Sequence, residues 1–136
     1  MTLLLDTCAA IWISENAALA DSAVEALDRA EDDGQPILLS PITAWEIGLL
    51  VSGGRLALPT SPEAWLNRLM QAPPLRLADL TTSVLIASSF LPGQPPRDPA
   101  DKIIIATARA QNLTVVTRDR HILAYSKAGH VLALAC

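Results

Sequence analysis

The feature that most constrains this chain is an alternation. Short apolar segments recur along its 136 residues, separated by stretches with helical signals. "LLL" at 3–5 ends in Asp6, and "PILLS" at 36–40, "LRLADL" at 75–80, "LTVVT" at 113–117 and "HVLALA" at 130–135 repeat the pattern. The segment at 113–117 is the clearest of them, β-branched and apolar. Continuous apolar runs of this length suit strands buried on both faces, as in parallel sheets. Strands that alternate with helices predict an α/β fold with a mostly parallel sheet of about five strands. No internal repeat, low-complexity tract or long linker divides the chain, so one domain over 1–136 is expected.

The helical stretches carry starts and stops. Residues 21–32 place Val24, Leu27 and Ala30 on one face, with acids elsewhere, and Gly34 ends that helix. Ser40-Pro41 predicts an N-cap followed by proline at the first helical position. The helix then runs through "ITAWEIGLLVS" to Gly53-Gly54. Ser61-Pro62 opens a helix through "EAWLNRLM", which Pro73-Pro74 closes. Thr81 to Phe90 reads as a helix, "LPGQPPR" as a loop, Asp98 to Gln111 as a helix and "DRHILAY" as a short one.

Composition narrows the class. Hydrophobic residues make up 51% and charged residues 18%, which argues against disorder. No apolar run approaches the roughly 18–20 residues needed to span a bilayer. "MTLLLD" lacks the basic n-region of a secretory signal. A soluble cytoplasmic protein is therefore expected. Cys8 and Cys136, the two cysteines, form neither a disulfide framework nor a zinc pattern. Net charge is −4, mildly against a nucleic-acid binder. The charge is polarised, however. Residues 1–33 hold eight acids and one base, whereas residues 97–136 hold six bases and three acids, so a local basic surface is compatible with the sequence.

Ligands of open parallel sheets bind beyond the carboxyl ends of the strands. Asp6 directly follows the first strand. Asp119 follows the fourth by two residues. Asp98 and Asp101 open the helix before that fourth strand, and Glu46 lies about one and a half turns into the helix after the second. Each has an ordinary structural role available. Asp6 and Asp119 suit helix caps. Asp98 before Pro99 is a strong cap pattern, and Asp101 in the first turn is favoured by the helix dipole. Glu46 stands between Trp45 and Ile47 in the most apolar helix, where a surface position is still ordinary.

Gathered at one sheet edge, these acids need a counter-charge. Two unit charges about 4 Å apart repel by roughly 4 kcal/mol at an effective dielectric near 20. A hard divalent cation such as Mg²⁺ supplies that charge through oxygen ligands. Other apparatus is missing from the sequence. His121 and His130 have no Cys or Glu at ligand spacing, "SGGR" at 52–55 is not a phosphate loop, and there is no "GxSxG" elbow. Setting aside Asp6, Glu46, Asp101 and Asp119 leaves ten acids for ten bases. With metal bound, the overall acidity no longer speaks against an RNA substrate.

Three blocks, "LLLDTCA", "SPITAWEIGLLVSGGRLALP" and "LPGQPPRDPADKIIIATARAQNLTVVTRDRHILAY", together resemble PIN-domain proteins of the VapC toxin type. The resemblance covers essentially the whole chain in order. It implies a three-layer α/β/α sandwich and a Mg²⁺- or Mn²⁺-dependent endoribonuclease. It also implies a homodimer and a cognate antitoxin whose tail blocks the site. By motif, Asp6, Glu46, Asp101 and Asp119 match the catalytic, metal-binding acids, and Thr117 matches a supporting hydroxyl. The family pattern often has histidine where this chain has Pro96 and arginine where it has Lys102.

The expected mechanism has Asp6, Glu46, Asp101 and Asp119 hold one or two Mg²⁺, with water activated for in-line attack on an RNA phosphodiester. Asp98 is expected to cap its helix, with an outer role at the site. Lys102, Arg118 and Arg120 flank the acids and are candidates for contact with RNA phosphates. Two alternatives stand beside this reading. A phosphatase of the haloacid-dehalogenase type wants a second aspartate two residues after the first, where this chain has Cys8. A catalytically silent interaction domain would use the acids only as caps.

Overall fold

The structure, a computed structural model, describes residues 1–72 and 74–136. Its five strands are β1 (Leu3–Leu5), β2 (Ile37–Leu39), β3 (Leu75–Leu77), β4 (Thr114–Thr117) and β5 (Leu132–Ala135). They form one sheet in the order β3-β2-β1-β4-β5, and every pairing is parallel. The helices are α1 (Thr7–Ser14), α2 (Asp21–Asp32), α3 (Ile42–Ser52), α4 (Pro62–Met70), α5 (Thr82–Ala87), α6 (Pro99–Gln111) and α7 (Arg120–Lys127).

Helices cover both faces, because strand side chains alternate in direction. Leu3, Leu5 and Val116 point into a core with Ala9, Ile11, Ala23, Ile47, Trp65 and Leu69, which belong to α1 to α4. Leu4 and Val115 point the opposite way, into a core with Ile104, Ile105 and Ala108 of α6 and Ile122 and Tyr125 of α7. The result is an α/β/α sandwich. Central β1 is buried throughout, as an all-apolar "LLL" requires.

The strand order creates a switch point. The chain moves outward from β1 to β2 and β3, then returns to lay β4 on the other side of β1. Leu5 pairs with Val116, so the residues leaving β1 and β4 emerge side by side. In open sheets this divergence opens a crevice at the carboxyl ends of the strands. The start of α6 reaches the same end, because a helix that precedes a parallel strand runs back along the sheet.

Four local expectations change. The sequence reading placed no helix between Asp6 and residue 21, yet "TCAAIWIS" forms α1. It is apolar nearly all round and so shows no polar face to mark a helical period. In α2, Leu27 and Ala30 pack on the core as expected, but Val24 is 40% exposed and Ala23 takes its place in the buried stripe. Before α3, the Oγ of Ser40 accepts the N–H of Ile42 at 3.1 Å, but the helix begins after Pro41. Helix α5 ends at Ala87 instead of Phe90, where Ser88 Oγ donates to the Leu85 carbonyl and the remaining bonds tighten to i→i−3. Pro73, half of the predicted stop after α4, lies outside the described residues. Among those described, no helix is long and apolar enough to cross a membrane.

Candidate active site

The acids named from sequence converge at the switch point. Asp6 leaves β1 as the N-cap of α1 and is 5% exposed. Both of its oxygens are engaged: Oδ1 accepts the Ala9 N–H at 2.7 Å, and Oδ2 accepts the Thr117 hydroxyl. Thr117, fully buried at the end of β4, also accepts the Asp119 N–H at 2.9 Å. One hydroxyl thus ties the acid after β1 to the acid after β4. Asp119 caps α7 through a single oxygen, Oδ1, which accepts from His121 and Ile122 at 2.8 and 2.9 Å.

Glu46 enters from α3. Thr7 donates its hydroxyl proton to Glu46 Oε1 and lies 3.0 Å from the Thr43 hydroxyl. Thr7 has one proton to give, so Thr43 donates to it, and a relay of two threonines orients the glutamate. Asp98 is the N-cap of α6 and exposed, its Oδ2 accepting the Asp101 N–H at 2.9 Å. Asp101, one turn inside, is half-buried.

These groups line one cleft. Its outer part, about 910 Å³, is lined by Glu46, Asp98, Asp101 and Asp119 together with Cys8, Arg97 and His121. A deeper part of about 200 Å³ reaches Asp6 and Thr7. A separate hollow of about 700 Å³ at the amino ends of the strands, around Met1, Arg109 and Leu132, is lined by no carboxylate among the described residues.

Mutual repulsion marks the cleft. Burial, then the charges of Asp98, Asp119, Glu46 and Asp6, push Asp101 up to about 7. Burial likewise raises Asp6 and Glu46 against the hydrogen bonds that favour their ionised forms. Cys8, open to solvent on one side, is pushed up to about 11 by desolvation and by Asp6, Glu46, Asp101 and Asp119. Its thiol therefore stays neutral at physiological pH, and the anionic donors facing the cleft are carboxylate oxygens. Among the described residues no three such groups already stand at the spacing of a closed metal cage. The donor set nonetheless fits a hard divalent cation, which keeps part of its water shell and needs few protein ligands.

The repulsion has a measurable sign. A carboxylate raised in the folded state holds its proton more tightly there than in the unfolded chain. Its contribution to stability is complete below the unfolded value of 3.8 and is lost as pH rises through about 7. Metal-free protein is expected to gain thermal stability as pH falls from 8 towards 5, and Asp101→Asn should flatten that gain. Melting curves across this range in chelator check it.

The flanking bases separate. Arg118 donates through one guanidinium nitrogen to the carbonyls of Ala18 (2.8 Å) and Cys136 (3.0 Å) and lies 4.0 Å over the Trp12 ring. Arg118 lines the deeper part of the cleft, but those contacts commit its head group to bracing α1 and the end of β5 beside Thr117. Lys102 is half-buried on α6 and Arg120 exposed at the start of α7; neither lines the cleft. Arg97 does line it, and the sequence reading counted that residue only as charge. The signal available was its place next to Asp98.

The model of the PIN domain matches residues 3–128. This chain belongs to the PIN domain family. Ribonuclease VapC22 of Mycobacterium tuberculosis (strain ATCC 25618 / H37Rv) is 32% identical to it over 122 residues, 89% of each chain. Two solved structures share the fold. One, of VapBC2 from Rickettsia felis bound to a DNA fragment from their promoter, superposes with a TM-score of 0.70 at 17% identity, covering 99% of this chain and 98% of that one. FitAcB from Neisseria gonorrhoeae gives a TM-score of 0.58 at 22% identity, covering 98% and 96%. PIN membership sets aside the haloacid-dehalogenase alternative.

Proposed function

We propose that this chain is the toxin of a type II toxin–antitoxin pair, a metal-dependent endoribonuclease that hydrolyses RNA phosphodiester bonds. The observation that carries the reading is the convergence of Asp6, Glu46, Asp101 and Asp119, from four separate segments, on the switch-point cleft of a PIN domain. Likeness to a ribonuclease across most of the chain supports it.

The four carboxylates are the residues that would hold Mg²⁺ or Mn²⁺. Bound there, the cation supplies a water of lowered pKa and neutralises charge at the phosphate. The protein's part is positioning. Thr117 fixes Asp6 and the turn carrying Asp119. Thr7 and Thr43 fix Glu46. Asp98 holds the first turn of α6, which presents Asp101.

The partners follow from the same reading. An antitoxin would cover the acidic cleft, as the toxin–antitoxin neighbours suggest. Homodimerisation is supported by apolar surface: Trp45 and Leu49 of α3, Ile86 of α5 and Phe90 just beyond it are 52, 46, 64 and 80% exposed, and both helices pack on α6.

Purified protein incubated with cellular RNA is expected to cut it in Mg²⁺ or Mn²⁺ and to leave it intact in EDTA. Equal cleavage in EDTA would remove the metal from the mechanism. Intact RNA under all conditions would favour the silent interaction domain.

A further inference from the structure

An acidic cleft repels an RNA strand, so something at its rim must hold the backbone. Among the described residues lining the outer cleft, Arg97 is the one arginine or lysine. It is exposed and stands immediately before the α6 cap. The loop that carries it is built to stay in place. Pro95 and Pro96 fix the backbone just before Arg97, and Pro96 is buried.

A clasp on α7 secures the other end of that loop. The Tyr125 hydroxyl donates to the Pro92 carbonyl. The His130 ring stacks on Tyr125, with centroids 4.8 Å apart and planes 30° apart. Gly93 sits at φ +67°, and a Cβ there would lie 2.6 Å from His130 Nε2. Only glycine permits both that conformation and that approach. Arg109 donates to the His130 carbonyl, which anchors the clasp from α6. Loop 91–97 is thus pinned four and five residues before Arg97, and the guanidinium is offered at the rim with little backbone freedom to lose on binding.

We propose that Arg97 binds a backbone phosphate of the substrate strand at the rim of the acidic cleft, and that the Gly93–Tyr125–His130 clasp holds it there. This rests on the ribonuclease reading of the cleft. It moves phosphate binding from Lys102, Arg118 and Arg120 to a residue on the loop before α6.

The test uses the full chain and a fluorescent single-stranded RNA, with Ca²⁺ in place of Mg²⁺, titrated over a range of salt. Loss of one phosphate contact is expected to lower the slope of log K against log salt by about 0.7, which weakens binding about fivefold near 0.1 M salt. Arg97→Ala should show both changes. Arg97→Lys should restore most of the slope, because a phosphate accepts a point charge. Gly93→Ala should weaken binding with the charge intact. Lys127→Ala, at the far end of α7, should bind as wild type. In Mg²⁺, Arg97→Ala should raise KM while kcat stays within about twofold.

Wild-type affinity and slope in Arg97→Ala would overturn the proposal, and wild-type binding by Gly93→Ala would remove the clasp from it. Arg97-dependent binding by a chain that cuts no RNA would uphold the phosphate contact and sink the ribonuclease reading. A wild-type chain that binds no RNA would sink both.

Discussion

Asp101→Asn is expected to reduce Mg²⁺-dependent RNA cleavage by at least about 100-fold, whereas Asp98→Asn should retain most of it. Loss of an outer-shell partner of a metal typically costs 10–100-fold, and loss of a direct ligand costs no less. The contrast follows from what each carboxylate does. Asp98 is exposed and spends Oδ2 on the Asp101 N–H, a bond that the carbonyl of asparagine also accepts. Asp101 is half-buried and faces Glu46, Asp119 and Asp6, each of which helps to raise it. Asp98→Asn has a further effect of predictable sign. The Asp98 charge is the largest single electrostatic contribution holding Asp101 high. Its removal lets Asp101 ionise at lower pH, so the acid limb of the pH–rate profile should move down. Initial rates for both variants between pH 5 and 8 decide the matter. Equal losses in the two would break the assignment of Asp101 as ligand and Asp98 as cap.

Asp6→Asn should separate activity from stability. Cleavage is expected to vanish while the metal-free protein melts no lower than wild type. Asp6 is 5% exposed and its carboxyl is raised, so the charge it carries at neutral pH works against folding. Asparagine removes that charge and still accepts the Ala9 N–H through its carbonyl, while its amide N–H donates to the Thr117 oxygen in place of the bond that Asp6 accepted from it. The metal response should be lost as well. A cation at 100 times its dissociation constant stabilises a folded protein by about 2.7 kcal/mol, roughly 10 °C for a chain of this size. Wild type should show a shift of that order with Mg²⁺ or Mn²⁺, and Asp6→Asn little or none. A variant that keeps the full shift would remove Asp6 from the proposed metal site. Such a trade is common where a site gathers like charges that the fold alone would avoid.

The sequence by itself determined the layered fold and its punctuation. Five apolar segments separated by helices leave few arrangements other than a parallel sheet covered on both faces, since the apolar central strands must bury both of their sides. Caps written in local chemistry, such as Ser61 before Pro62 and Asp98 before Pro99, set helix starts that the structure keeps. Helix α1 was not legible, because its apolar surroundings remove the polar face on which periodicity depends.

Only the tertiary structure decided what surrounds each acid. Asp6 and Thr117 are 111 residues apart, and their hydrogen bond exists because β1 and β4 are neighbours at the switch point. The same long-range pairing explains why Arg118, next to Asp119 in sequence, spends a guanidinium nitrogen on the carbonyls of Ala18 and Cys136 at the wall of the deeper cleft. The loop that brings Arg97 to the cleft is held by Tyr125 of α7 and by His130 in the turn before β5. Residue type and spacing report a side chain's chemistry and its local cap. Its direction and its neighbours are set by the elements packed against it, and that packing decides which charges face a substrate and which brace the fold.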